Sequence, residues 1–170
     1  MPAISLRRDF QRGPALANIY DIESYEPRRS VGHLIGRARA ELLAALDREL
    51  SGDRQLASLG VTAAQVIVIA RLADGEQRKS ASDLCKDMSY DAGAMTRMID
   101  RLESKGLIRR ARCPQDRRLV HLEMTEQGRA AFPRMREISM TVQNRFLRGF
   151  SRTEARQLEA SLNRMLENAA

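Results

Sequence analysis

The fold is decided by the stretch Ala92-Gly-Ala-Met-Thr-Arg-Met-Ile-Asp-Arg-Leu-Glu-Ser-Lys-Gly106 and by two runs that follow it, Leu107-Ile-Arg-Arg-Ala-Arg112 and Arg118-Leu-Val-His-Leu-Glu123. In the first stretch Met95, Met98, Ile99 and Leu102 recur at i, i+3, i+4 and i+7, the spacing of one helix face. Gly106 is a natural residue just past a helix end. The opposite face therefore presents Gly93, Thr96, Arg97, Asp100 and Arg101. After Gly106 the runs are short and β-compatible, and Cys113-Pro-Gln-Asp-Arg117 between them supplies a basic, turn-rich tip. Upstream, Ser80-Ala-Ser-Asp83 opens a short helix with Ala81, Leu84, Cys85 and Met88 on its buried face. Only Ser89-Tyr90-Asp91 separates it from the next helix. A short helix, a tight turn, an amphipathic helix and a basic hairpin form the pattern of a winged helix-turn-helix.

Long helices flank this unit. Ser30 is a good N-cap for a helix in which Val31, Leu34, Ile35, Ala38, Leu42, Ala45 and Leu46 keep helical spacing to about Ser51-Gly52. Thr62-Ala-Ala-Gln65 has capping-box spacing and opens a second helix that stops at Asp74-Gly75. Thr125 can cap a long fifth helix, kinked by Pro133, with Met135, Ile138, Val142 and Phe146 as its seam. Ser151-Arg-Thr-Glu154, another capping box, opens a last helix with Ala155, Leu158, Leu162, Met165 and Leu166 inside. The expected class is mainly α, with a small β-hairpin wing and long terminal helices. The expected organisation is an N-terminal extension over 1–29, a short helix around Ala15–Tyr20 included. A winged helix-turn-helix lobe follows over 62–125, and a helical dimerisation region is built from 30–61 and 126–170. The apolar stripes at 31–50, 126–149 and 152–168 call for a partner surface, and two-fold pairing is the commonest way to cover such surfaces.

The charge map fits a polyanion partner. The chain of 170 residues carries 29 Lys+Arg against 22 Asp+Glu, a net +7. Residues 78–118 hold 11 basic and 6 acidic side chains, so +5 of the excess sits in that middle segment. Because 26 of the 29 basic residues are Arg, a compositional bias toward Arg is evident, but such a bias does not gather net charge in one place. A concentrated positive segment is the electrostatic footprint of a nucleic-acid binder. A recognition helix fits the major groove, and a narrow basic tip can reach the adjacent minor groove. Ala92 and Gly93 would let the helix backbone approach DNA closely, with Thr96 and Arg97 one turn in.

At these residues the sequence resembles the multiple antibiotic resistance regulator (MarR) family. Asp116-Arg-Arg-Leu-Val-His-Leu-Glu-Met-Thr-Glu-Gln-Gly128 is similar to the family's wing pattern, an acid-x-Arg, alternating strand residues, then Leu-Thr-x-x-Gly, with Met124 in place of the Leu. Met95 to Ile108, closing with Arg109 and Arg110, looks like its recognition helix and first wing strand. The resemblance implies a homodimer with intertwined terminal helices that binds a pseudo-palindromic double-stranded operator, and repression relieved by a ligand. Carried over by position, Thr96 and Arg97 would contact base edges or phosphates in the major groove. Arg118 would enter the minor groove, and Asp116 would hold the wing tip in shape. Arg101, Arg110, Arg112 and Arg117 complete the expected DNA-facing set. Relatives of this kind bind small phenolic or lipophilic anions, for which His33 and Arg37 on the first helix are the candidate polar anchors.

Other readings are weaker. His33 and His121 stand in no Ser/His/Asp, Cys/His or HExxH arrangement, and there is no Gly-rich phosphate loop, so no enzyme is expected. Cys85, Cys113, His33 and His121 lack metal-ligand spacing, and neither a metal nor a cofactor is expected. An RNA-binding module would want exposed aromatics for stacking, yet aromatics are 4% of the chain. A thiol-based redox sensor of the same fold is the alternative input. Cys85 falls on an apolar face, whereas Cys113 sits among Arg110, Arg112 and Arg117, and nearby positive charge favours the reactive thiolate. The longest apolar runs, Leu42 to Leu46 and Val66 to Ala70, fall far short of the ~18 residues of a membrane span. The start of the chain has no apolar signal core. A cytoplasmic protein is expected.

Overall fold

The computed structural model describes residues 18–74, 79–112 and 120–169. Helix starts follow local capping chemistry. Ser30 Oγ accepts the N–H of His33 at 3.3 Å at the head of α1, Val31–Gly52. Thr62 and Gln65 form a reciprocal capping box on α2, Ala63–Ala73. The carboxylate of Asp47 on α1 accepts a further first-turn N–H, that of Ala63, at 2.6 Å. Ser80 and Asp83 box the start of α3, Ala81–Met88, and Asp91 caps α4, Ala92–Ser104. Thr125 caps α5, Glu126–Phe146. Ser151 and Glu154 box α6, Arg152–Glu167. The starts expected at Thr62, Ser80, Thr125 and Ser151 all stand. Each such cap satisfies N–H groups that a helix leaves without partners.

The sheet has one strand more than the hairpin expected from the sequence. β2, Ile108–Arg112, and β3, Val120–Met124, pair antiparallel with Ile108 opposite Met124 and Arg112 opposite Val120. The two-residue β1, Lys79–Ser80, pairs with the other edge of β3, placing Ser80 opposite His121. The order is β1-β3-β2. With two residues, β1 has no alternation for a periodicity argument to detect.

The chain divides into two units, 1–37 and 38–170. In the first, Tyr20 accepts the Val31 N–H at 3.0 Å and stacks edge-on against Tyr25 at 5.4 Å between ring centroids. Ile19, Ile22, Leu34 and Ile35 of this unit are exposed. The helix expected around Ala15–Tyr20 does not extend over Asn18–Tyr20, and 15–17 lie outside the described residues.

The second unit holds the core. Leu50, Leu56, Ile69, Leu84, Met95, Ile99, Leu102, Leu107 and Ile108 are fully buried, together with Met135 and Val142 of α5. Three of the four residues of the expected α5 seam, Met135, Ile138 and Val142, are buried within the protomer, where α5 packs on α2 and β3, while the fourth, Phe146, is exposed. Arg134 pairs with Asp53 at 2.8 Å and Arg145 with Glu49 at 2.5 Å, tying α5 to the end of α1. Pro133 lies within α5, which continues past it as one helix. By contrast α6 has no buried residue, and Leu158, Met165 and Leu166 are exposed on it. No helix among the described residues is long and apolar enough to cross a membrane.

Candidate nucleic-acid interface

The turn between α3 and α4 is built around Ser89, the described non-glycine residue with positive φ, 51°. Its N–H closes α3 onto Cys85 and Lys86 carbonyls, and the Tyr90 N–H returns to Cys85 O at 3.1 Å. A left-handed residue reverses the chain within one step. Asp91 then accepts the Ala94 N–H at 2.7 Å and starts α4. The helix is pinned from inside by Met95, Ile99 and Leu102, each at most 1% exposed.

What α4 shows outward is the face expected from the sequence: Gly93, Thr96, Arg97, Asp100 and Arg101, with Ala92 at its head, are all exposed. Thr96 donates its hydroxyl to the Ala92 carbonyl at 2.8 Å, so its methyl group and oxygen lone pairs are what it offers to a partner. A Cβ added at Gly93 would lie 3.4 Å from Nη1 of Arg97 and 3.2 Å from Asp91 Oδ1. The absent side chain leaves room for the Arg97 guanidinium over the first turn. Arg97, Arg101 and Lys105 line one side of an open cavity of about 460 Å³, with the cap residue Thr62 and, on α2, Ala64 and Gln65 on the other. Lys105 donates to Leu59 O at 2.9 Å and also to Gly60 O, fixing the end of α4 to the loop before α2.

At the base of the wing the uncharged residues Gly106, Leu107, Thr125 and Gly128 close on one another. Thr125 donates its hydroxyl to Gly106 O at 2.5 Å, accepts the Gly128 N–H at 3.0 Å, and gives its own N–H to Leu107 O at 3.1 Å. A Cβ on Gly128 would sit 2.1 Å from that Leu107 oxygen. The Thr-x-x-Gly spacing is therefore the chemistry of a strand end closing on a helix start, and only glycine fits its last position.

Electrostatics separates the arginines into two sets. Arg109 bonds Glu123 across the ladder at 2.8 Å. Arg110 donates from Nη2 to Asp100 at 2.6 Å and from Nη1 to Glu103, while its backbone N–H reaches Glu103 Oε1 at 3.1 Å. The Asp100 hydrogen bond, followed by that of Glu103, raises the Arg110 guanidinium above its ordinary pKa. Arg97, Arg101 and Arg112 enter no ion pair among the described residues. On α3, the backbone N–H and hydroxyl of Ser80 hold the Asp83 carboxyl below its usual value.

The structure thus gathers Ala92, Gly93, Thr96, Arg97 and Arg101 on one helix face, and places Arg110 and Arg112 on the adjoining strand β2. Cys113, Asp116, Arg117 and Arg118 lie outside the described residues. His33 and Arg37 are exposed on the first turns of α1, in the other unit. Sequence reasoning missed the carboxylates of Asp100 and Glu103 as partners of Arg110. Their signal is positional: residues on either side of a tight turn at Gly106 are brought face to face.

A model of the MarR family matches residues 61–120. The chain is similar to the HTH-type transcriptional repressor MdtR of Bacillus subtilis (strain 168), 30% identical over 132 residues that cover 78% of this chain and 77% of that protein. It is also similar to the uncharacterized HTH-type transcriptional regulator YdgJ of the same organism, 36% identical over 89 residues. That match spans 52% of this chain and about half of YdgJ, 54%. Among solved structures, BpsR of Bordetella bronchiseptica, described with regulation of its DNA binding by 6-hydroxynicotinic acid, superposes with a TM-score of 0.70. It is 26% identical and covers 83% of this chain and 96% of that one. A MarR variant from E. coli complexed with operator DNA has a TM-score of 0.69 and 29% identity, covering 80% of this chain and 93% of that one.

Proposed function

The chain belongs to the MarR family of transcriptional regulators, with a winged helix-turn-helix DNA-binding fold, and from that premise we propose that it acts in the cytoplasm as a homodimeric repressor on a pseudo-palindromic operator. The observation that carries this reading is the outward face of α4. Small residues at its head, then Thr96, Arg97 and Arg101, stand exposed beside an antiparallel wing whose strand ends in Arg112. That face has the shape and the donors that a major groove accepts. Arg118 enters the minor groove and Asp116 holds the wing tip. Arg112 and Arg117 take phosphates. Support for the dimer comes from α6, an amphipathic helix with no buried residue of its own. Support for repression, and for its release by a small phenolic or lipophilic ligand, comes from MdtR, named a repressor, and BpsR, whose DNA binding is regulated by the small molecule 6-hydroxynicotinic acid. His33 and Arg37 are the polar anchors offered to such an anion.

Selection of bound duplexes from random DNA tests the proposal. Two-fold related recognition helices require half-site centres about 10–10.5 base pairs apart, or a multiple of that. Binding should also weaken steeply with salt, with a log–log slope of about −0.9 for each phosphate neutralised. Recovery of no common motif, or of a single unpaired half-site, would defeat it.

A further inference from the structure

We infer that Arg110 is a positioning residue that locks the wing to the recognition helix, held in that role by Asp100 and Glu103, and that it is not a phosphate ligand. The inference rests on the regulator reading above and deepens it. Arg110 stands in a basic run, Arg109, Arg110 and Arg112, so its charge alone marks it as a phosphate contact. Its surroundings say otherwise. Glu103 takes both the backbone N–H and the Nη1 of Arg110, and Asp100, three residues earlier on α4, takes Nη2. The three side chains together carry one negative charge, so an approaching phosphate meets repulsion there. Two donors of the guanidinium are already spent on carboxylates, and its side chain is only 36% exposed. Arg110 also shares a sheet face with its register partner Leu122, which is buried at 4%.

The geometry has a purpose in recognition. Glu103 and Asp100 belong to the helix that carries Thr96 and Arg97, and Arg110 belongs to the strand that leads to the wing tip. A planar guanidinium bound by two carboxylates from one helix fixes orientation as well as distance. It thereby sets the angle between what enters the major groove and what enters the minor groove. Correct operator sequence rewards that angle; random duplex, bound through the backbone alone, does not.

The test measures affinity for the selected operator and for a scrambled duplex of equal length, in the full-length protein, for Arg110→Ala, Glu103→Gln, Asp100→Asn and the Arg110→Ala/Glu103→Gln pair. Removing an acid raises attraction to any DNA, so the operator-to-scrambled ratio is the readout. Locking predicts that each single variant loses about tenfold in that ratio, the sum of several exposed charged hydrogen bonds. It predicts that the double variant loses no more than the worse single, since the partners act as one unit. It predicts an unchanged salt slope on scrambled DNA. A phosphate role predicts the reverse. Arg110→Ala would then weaken both duplexes equally and flatten the slope by about 0.9, the acid variants would leave the ratio intact, and the effects would add; that result overturns the inference. Glu103→Gln and Asp100→Asn are isosteric and partly exposed, so they decide the matter even where Arg110→Ala does not fold. A wild-type protein that binds no duplex would refute the regulator reading and this one with it, and is told apart by that control.

Discussion

Replacing Gly128 by Ala should destabilise the protein although it improves helix propensity. The added Cβ would lie 2.1 Å from the Leu107 carbonyl oxygen, about 0.9 Å inside the 3.0 Å below which real Cβ contacts essentially never fall. The obstacle is backbone, so it cannot swing aside as a side-chain tip would. That oxygen is also the acceptor for the Thr125 N–H at 3.1 Å, and a displacement of this size breaks the bond. Overpacking of this kind costs roughly 1–3 kcal/mol, and the lost hydrogen bond about 0.5–1.5 kcal/mol. Against these stands a gain of about 1 kcal/mol for Ala over Gly inside a helix. The net expectation is a loss of about 2 kcal/mol, or about 4–8 °C in Tm for a chain of this size. Urea and thermal unfolding at one fixed protein concentration measure it, since the stability of any oligomer varies with concentration. Ala130→Gly, two residues on and exposed, calibrates the propensity contribution in the same helix. If Gly128→Ala matches or exceeds wild-type stability, the close approach of α5 to the start of β2 is wrong.

The Asp53 carboxyl is held below its ordinary pKa, first by the Arg134 hydrogen bond. A lowered folded value means stability that is present above about pH 4, the unfolded carboxylate value, and lost as pH falls through the folded one. Asp53→Asn should therefore flatten the acid limb of a urea-midpoint against pH curve, and an unchanged limb would contradict the pairing. Arg97→Ala should cost roughly 1–3 kcal/mol of operator binding and relax sequence preference if its contact is bidentate to a base. Arg118→Ala should weaken binding most at narrow, A·T-rich minor grooves; equal losses on all sequences would make both residues backbone contacts. Leu158→Glu on the exposed stripe of α6 should shift sedimentation from dimer to monomer, and an intact dimer would place the interface elsewhere.

How much of this was readable beforehand depends on the range of the interaction concerned. Thr62, Ser80, Thr125 and Ser151 announce their helices because a cap and the N–H groups it satisfies lie within three residues of each other. The outward face of α4 follows equally from local period. Pairing that crosses the chain is a different matter. β1 exists because β3 has a second open edge, and nothing in Lys79-Ser80 announces that edge. The apolar seam of α5 is visible in the sequence, but the burial of Met135, Ile138 and Val142 against the same protomer depends on where α2 packs, which period alone does not tell from a partner's surface. Arg110 shows the limit for the candidate site. Composition counts it among the positive charges of 78–118, and only the turn at Gly106 brings Asp100 and Glu103 against it.

Ser80 closes the sheet and opens a helix in the same residue. It is the ladder partner of His121 on β3 and the N-cap of α3, with its hydroxyl shared between Asp83 and the first turn. Local opening of β1 must therefore strip the cap from α3, and fraying of α3 must loosen the edge of β3. Amide hydrogens in the first turn of α3 and along β3 should then exchange with solvent as one cooperative group, with a common opening free energy. A displacement of β3 is therefore felt at the front of the helix pair without passing through α4.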